Sequence, residues 1–270
     1  MINKIFASFH NYSIDIYHRF LGSLLDTGYS RDIYFLSTDQ DCLDLYRKLY
    51  NHFKTEQLHL IHTPIDLDVD IPQIHRFIAL DEILTSPGSD TAGHSLFCDS
   101  RDVLFQSNPE DIDLSDNVDL YAFEEGNRII DSPKWNGKWA DYMHGIYHDV
   151  DYKDKKAICV GVLIFSNTYI KSFFSQFTYE IKKNNLEKVV MDQGLFNYLF
   201  YKNKLDCNSV LIPNINDSVY HIGLGADTVA IQNNKLILQN SRKTPAIMHQ
   251  YDRLPSHLLN KISTKYNFNI

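Results

Sequence analysis

Along the first half of the chain, hydrophobic and polar positions switch repeatedly between two periods. Ile5-Phe6-Ala7-Ser8-Phe9 is a short apolar run of strand type, after which Ile14, Tyr17, Leu21, Leu24 and Leu25 recur at helical spacing. Ser13 stands where a helix N-cap is expected and Gly28 where a C-terminal stop is expected. A second strand over Asp32–Leu36, a helix from about Asp41 to Phe53 and a third strand over Leu58–His62 follow. Pro72 is placed to open a further helix with Ile74, Phe77, Ile78 and Ile83 as its apolar stripe, and Ser95-Leu96-Phe97-Cys98 is the next strand.

This order predicts an α/β fold: a mostly parallel sheet built from crossover units, with helices on both faces. The second half is less regular. Leu120–Phe123 and Ala157–Phe165 read as strands, Tyr169–Lys183 and Asp192–Tyr201 as helices, Val210–Ile212 and Ala246–His249 as strands, and the tail from Pro255 as a short helix. The stretch between the first two strands, about 124–156, carries Trp135, Trp139 and three glycines and reads as a lid or substrate-facing insertion. No internal repeat or low-complexity tract interrupts the pattern.

A length of 270 residues with 44% hydrophobic and 22% charged composition fits one large domain and argues against a disordered chain. A net charge of -8 argues against nucleic acid as the main partner, because phosphate backbones require basic surface. No apolar run approaches the roughly 20 residues that span a bilayer, and the N-terminus shows no secretory leader. A soluble, cytoplasmic protein is therefore expected. Cys42, Cys98, Cys159 and Cys207 are too scattered for a CxxC zinc site and are expected to be reduced and mostly buried.

Three local patterns carry candidate chemistry. Asp99-Ser100-Arg101-Asp102 follows an apolar strand, at the strand end where sheets of this type bind ligands. Two carboxylates crowded there suit a hard divalent cation, Mn²⁺ or Mg²⁺, or else an Asx-turn with Arg101 paired to one of them. Asp192-Gln193-Gly194-Leu195-Phe196-Asn197 opens a helix, which by itself reads as ordinary acidic capping. Ile247-Met248-His249 delivers an imidazole to a strand end, with Arg253 close behind as a phosphate contact.

In order and spacing, Asp99–Asp102, Gly161-Val162-Leu163-Ile164, Asp192-Gln193…Asn197 and His249 resemble the metal motif, GVL strand, DQ helix and late histidine of the GT-A glycosyltransferases. The closest group is the retaining lipopolysaccharide galactosyltransferases of family eight and their bacterial relatives. The resemblance implies a GT-A, Rossmann-like fold with a small additional antiparallel lobe. It implies a single catalytic domain over 1–270, divided into a nucleotide-binding half (1–106) and an acceptor-binding half (107–270).

The resemblance further implies Asp99, Asp102 and His249 as metal ligands, with Asp99 also meeting the nucleotide ribose. Arg76 corresponds to a donor-sugar contact, Asp192 and Gln193 to the reacting face of that sugar, and Ala7, Ser8 and Phe9 to the seat of the base. The implied reaction is metal-dependent transfer from a UDP-sugar to a glycan or glycolipid acceptor of a surface polysaccharide, retaining anomeric configuration. Association at the inner face of a membrane is compatible with such an acceptor. The chain departs from the family in its DxxD spacing, which leaves open which carboxylate holds the metal, and in Cys159-Val160 where an Asn precedes GVL. A non-catalytic nucleotide- or sugar-binding module with a degenerate metal site is the alternative. Glu124 and Glu125 are the acids available to an inverting mechanism, and Trp135 and Trp139 are available to stack on acceptor sugars.

Overall fold

The computed structural model describes residues 1–10, 12–37, 42–63, 71–84, 92–149, 151–223 and 225–266. Asp41, the expected start of the second helix, lies outside the described residues. Strand and helix alternate through β1 (Ile2–Phe9), α1 (Ile14–Leu25), β2 (Asp32–Ser37), α2 (Cys42–Phe53), β3 (Leu58–His62), α3 (Pro72–Leu84) and β4 (His94–Cys98). Then come β5 (Val103–Phe105), β6 (Leu120–Arg128), α4 (Lys138–Tyr147), β7 (Lys156–Ser166), α5 (Ile170–Lys183) and α6 (Asp192–Tyr201). The chain finishes with β8 (Ser209–Ile212), β9 (Val219–His221), β10 (Val229–Gln232), β11 (Lys235–Leu238), β12 (Ile247–His249) and α7 (Ser256–Lys265).

The main sheet has seven strands in the order β3-β2-β1-β4-β7-β6-β8. β3, β2, β1 and β4 are parallel, β7 is antiparallel to both neighbours, and β6 pairs β8 in parallel. The chain winds outward from β1 to β3 and returns to lay β4 on the other side of β1. The strand order therefore reverses between β1 and β4, where crossovers leave in opposite directions and a crevice opens at the carboxyl ends. A hairpin (β10-β11) and a three-stranded sheet (β5-β12-β9) form the smaller lobe.

The central strands are mostly apolar because helices cover both faces. Alternation still sorts their side chains. Phe6, Phe97, Leu163 and Phe165 face α3 and α5, where Phe77 packs between Phe97, Phe174 and Phe177 at centroid distances of 4.7–5.9 Å. Ile5, Ala7, Phe9, Leu96, Cys98, Val162 and Ile164 face the opposite way, with Tyr17, Phe20 and Leu24 of α1.

Several expectations change at this level. Ala7 and Phe9 are fully buried in the α1-side core, because their parity in β1 turns them away from the α3 face; Ser8 alone of that trio reaches the cleft. The 124–156 stretch begins as strand, since β6 continues to Arg128 before two short helical turns lead into α4. On α3 the buried stripe is Ile74, Phe77 and Ile78 as expected, but Arg76 is buried as well and Ile83 only half so. The lobe strands β5, β9, β10 and β11, of three or four residues each, were too short to show a period.

Candidate active site

Strand register assembles the floor of the site. Ala7 pairs with Cys98 and Cys98 with Val162, so the next row across the sheet is Ser8, Asp99 and Gly161. The Asp99 amide donates to the Gly161 carbonyl at 2.8 Å, and the Ser100 hydroxyl donates to the Ser8 carbonyl. By the same alternation, this row lies on the face covered by α3 and α6. Helix α6 is stitched onto β7 by Asn197, whose side chain accepts from the Ile158 amide at 2.9 Å and donates to the Ile158 carbonyl at 2.8 Å. That docking explains the asparagine of the DQ helix and delivers Asp192 and Gln193 to the cleft.

Arg76 reaches in from α3. Its guanidinium donates to Asp99 Oδ1, to Asp192 Oδ2 at 3.1 Å and to the Gln73 carbonyl at 3.1 Å, with its carbon 5.0 and 5.2 Å from the Phe77 and Phe97 ring centres. The side chain is only 5% exposed, so it is a buried cation held between two carboxylates. Burial pushes the Asp99 carboxyl up, but Arg76 and His249 outweigh it and hold Asp99 below the usual carboxylate range. For Asp192 burial wins, and its value is raised despite Arg76.

The smaller lobe supplies the other wall. β12 pairs with β5 and β9, so His249 sits opposite Val103, one residue after Asp102, and beside His221. His249 Nε2 lies 3.6 Å from Asp99 Oδ2 and 3.4 Å from Asp102 Oδ1. Each carboxylate has one oxygen pinned elsewhere: Asp99 Oδ1 by Arg76, and Asp102 Oδ2 by Arg101 at 3.2 Å. Arg101 also meets Asp252 at 3.4 Å, outside the cluster. The second oxygens and the imidazole Nε2 therefore converge on one point.

That convergence fits a cation. Asp102 Oδ1 and His249 Nε2 are buried and make no hydrogen bond, an arrangement that costs stability unless something else satisfies them. A Cβ on Gly161 would stand 2.3 Å from His249 Cε1, 2.7 Å from Nε2 and 2.8 Å from Asp99 Oδ2, so only glycine leaves the space open. Two carboxylate oxygens with one imidazole suit Mn²⁺ better than Mg²⁺, which prefers all-oxygen sites. Without a cation, burial opposes charge on both groups, yet His249 and Asp102 stabilise each other; His249 is raised well above its ordinary value and Asp102 lowered.

Behind His249 lies a feature the sequence did not disclose. His221 Nδ1 is 2.7 Å from His249 Nδ1, and Cys159 Sγ is 3.6 Å from the same nitrogen. Burial and the neighbouring His249 hold His221 well below its ordinary value, whereas Asp102 raises His249, so a protonated His249 would donate from Nδ1 to His221. The contact braces the His249 ring with Nε2 directed at Asp99 and Asp102. Burial pushes the Cys159 thiol up to about 11, which leaves it a neutral neighbour.

The cleft these groups line has a volume of about 210 Å³ and is also bounded by Ser8, Tyr12, Trp139, Gln193 and Arg253. Among the described residues its carboxylates are Asp99, Asp102 and Asp192; Glu124 and Glu125 do not line it. Arg253 is exposed at the rim, where its guanidinium donates to the Gly223 carbonyl at 3.3 Å. Trp135 is 66% exposed and does not line the cleft, whereas Trp139, 6.4 Å from it between ring centres, is on the wall. A larger cavity of about 930 Å³, between α1, β11 and α7, holds none of these residues.

No family profile matches the chain, and no curated protein sequence matches it. Solved structures do. The galactosyltransferase LgtC, in complex with donor and acceptor sugar analogues, superposes over 99% of this chain and 97% of its own, with a TM-score of 0.58 at 12% identity. The glycosyltransferase GlyE of Streptococcus pneumoniae aligns over the whole chain and 66% of its own (TM-score 0.52, 14% identity). Mouse xyloside xylosyltransferase 1 aligns over 94% and 99% (TM-score 0.54, 10% identity). The fold is that of the GT-A glycosyltransferases.

Proposed function

We propose that this chain, with its GT-A fold, is a metal-dependent glycosyltransferase that moves a sugar from a nucleoside-diphosphate donor, UDP-linked, to a glycan or glycolipid acceptor of a surface polysaccharide. The observation that carries this reading is the meeting of Asp99, Asp102 and His249 with Arg76, Asp192 and Gln193 in one cleft at the sheet's switch point.

Asp99 Oδ2, Asp102 Oδ1 and His249 Nε2 would hold Mn²⁺, which when bound neutralises charge on a departing diphosphate. Arg253, exposed at the rim, supplies a further cation toward the same phosphates. Ser8 and Tyr12, both on the cleft wall, would seat the base. Asp192 and Gln193 present oxygens to the donor sugar, where they stabilise the cation-like character that develops at the anomeric carbon as the leaving group departs. Arg76 holds Asp99 and Asp192 in place with two of its five N–H groups and a third on the Gln73 carbonyl, and lines the cleft as a donor-sugar contact.

Retention is favoured by the absence, among the described cleft residues, of a carboxylate other than these three to act as an inverting base. The nucleotide-binding half, 1–106, carries Ser8, Arg76, Asp99 and Asp102. The remainder contributes the acceptor side, with Trp139 as a stacking surface. Among the described residues no helix is long and apolar enough to cross a membrane, so a glycolipid acceptor would be met at a membrane surface.

The test is release of UDP from UDP-galactose and UDP-glucose with Mn²⁺, compared between the wild type and Asp102→Ala. Turnover by the wild type, lost in a folded variant, supports transfer. Nucleotide binding unchanged by the substitution, with no turnover in either, supports the binding-module alternative. Product anomer by NMR decides retention.

A further inference from the structure

A chain of side-chain amides runs from the rim of the smaller lobe to Gln193, and its direction is set at one end. The Gly223 amide, a donor that cannot be reversed, donates to Gln250 Oε1 at 2.8 Å. Gln250 must therefore turn its Nε2 outward, where it donates to Glu125 Oε1 at 3.3 Å. The other Glu125 oxygen accepts from Asn136 Nδ2 at 3.0 Å. Asn136 Oδ1 is then the atom left to accept from Gln193 Nε2, at 2.7 Å. An ionised carboxylate only accepts, and an amide has one donating and one accepting end, so each bond dictates the polarity of the next.

We infer that Glu125 and Asn136 are positioning residues that orient the Gln193 carboxamide, keeping its Nε2 on Asn136 and its carbonyl oxygen turned to the donor sugar. This rests on the proposed glycosyl-transfer reading of the cleft. Glu125 thus acts without lining the cleft: both of its oxygens are occupied in holding the relay. Asn136, Gln193 and Gln250 are nearly fully buried and Glu125 is half-buried, so three of the four relay residues are shielded from competing water.

The polarity makes an unusual substitution pattern diagnostic. In Glu125→Gln, Gln250 still needs an oxygen, so the new amide nitrogen faces Asn136. Asn136 then reverses, Gln193 reverses in turn, and a positive N–H end meets the anomeric centre. Adding Asn136→Asp supplies a carboxylate that accepts from both sides, which returns Gln193 to its original orientation. All replacements are isosteric.

Two measurements at pH 8 test this on the full chain. In UDP-galactose turnover with Mn²⁺, Glu125→Gln is expected to lower kcat on the order of 100-fold with donor KM nearly unchanged, and the double variant to recover most of it. In thermal melts, Asn136→Asp alone is expected to be the least stable protein, because two carboxylates then face each other, and Glu125→Gln in that background to restore it. Equal impairment of Glu125→Gln and the double variant, or no restoration in the melts, overturns the relay. A wild type that turns over no UDP-sugar overturns the glycosyl-transfer reading instead, and the melts still decide whether Glu125 sets the polarity of Asn136.

Discussion

Arg76 Nη2 lies 3.1 Å from Asp192 Oδ2, in an ion pair between α3 and α6 whose partners are 5% and 9% exposed. Because Asp99 shares the same guanidinium, removing Arg76 leaves the buried Asp192 carboxylate unpaired and takes the partner from Asp99, which is 29% exposed on the cleft. Arg76→Met is expected to cost about 3–5 kcal/mol of stability, the range for breaking a buried pair from one side. Arg76→Lys should recover only part of this, since an ammonium cannot bridge both acids in the same geometry. Urea unfolding of the two variants measures the difference; equal stability with wild type would remove Arg76 from the framework of the site.

Gly161 is predicted to be intolerant of even a methyl group for a reason unrelated to backbone freedom. Gly161→Ala must displace His249 or Asp99, whose atoms lie 2.3–2.8 Å from the new carbon. Far-UV circular dichroism should stay native while Mn²⁺ affinity, followed by the loss of the free-ion EPR signal, falls by at least about tenfold.

His221 lies outside the Asp99–Asp102–His249 cluster, and its Nδ1, 2.7 Å from His249 Nδ1, braces the ring that carries Nε2. His221→Leu is expected to weaken Mn²⁺ binding roughly 10–100-fold, the usual range for losing the partner of a ligating histidine. His221→Asn, which keeps an acceptor in place of Nδ1, should bind nearer to wild type. The same EPR titration reads both.

The elements that fix the cleft were largely legible in the sequence, because long or amphipathic segments announce their period. The βα alternation of the first half, the acidic motif at the end of β4, the DQ helix and the late histidine all pointed to one fold, and the structure has it. What escaped was set by tertiary contacts. His221 sits on a three-residue strand with no period to detect, and its meaning comes from a neighbour 28 positions away. Arg76 had the sequence surroundings of a solvated helix face; only the approach of Asp99 and Asp192 shows why it is inside. The resemblance implies Ala7, Ser8 and Phe9 as the seat of the base, whereas strand parity buries Ala7 and Phe9 and leaves Ser8 on the cleft. Asn136 lies in a short helical turn whose polar composition carried no signal of the relay it joins.

Acid should destabilise the fold through a histidine remote from the chemistry. His94, buried at the start of β4, has its value lowered, first by burial. The folded protein therefore binds fewer protons than the unfolded chain between that lowered value and the unfolded value near 6.5. This contribution is complete above about pH 6.5 and is lost as pH falls toward the folded value. Urea unfolding at pH 7.5 and 5.5 should show a smaller loss for His94→Asn than for wild type; identical pH dependence would dismiss His94 as the cause.

The central claim is that the Asp99–Asp102–His249 cluster makes nucleotide binding depend on a divalent cation. The most direct measurement is a thermal-shift comparison of UDP, GDP, CMP and ADP, each with and without Mn²⁺. A ligand at about 100 times its dissociation constant stabilises by about 2.7 kcal/mol, which is readily seen as a higher melting temperature. A shift with UDP only when Mn²⁺ is present is the predicted result. No shift with any of the four, with or without the metal, would contradict the account.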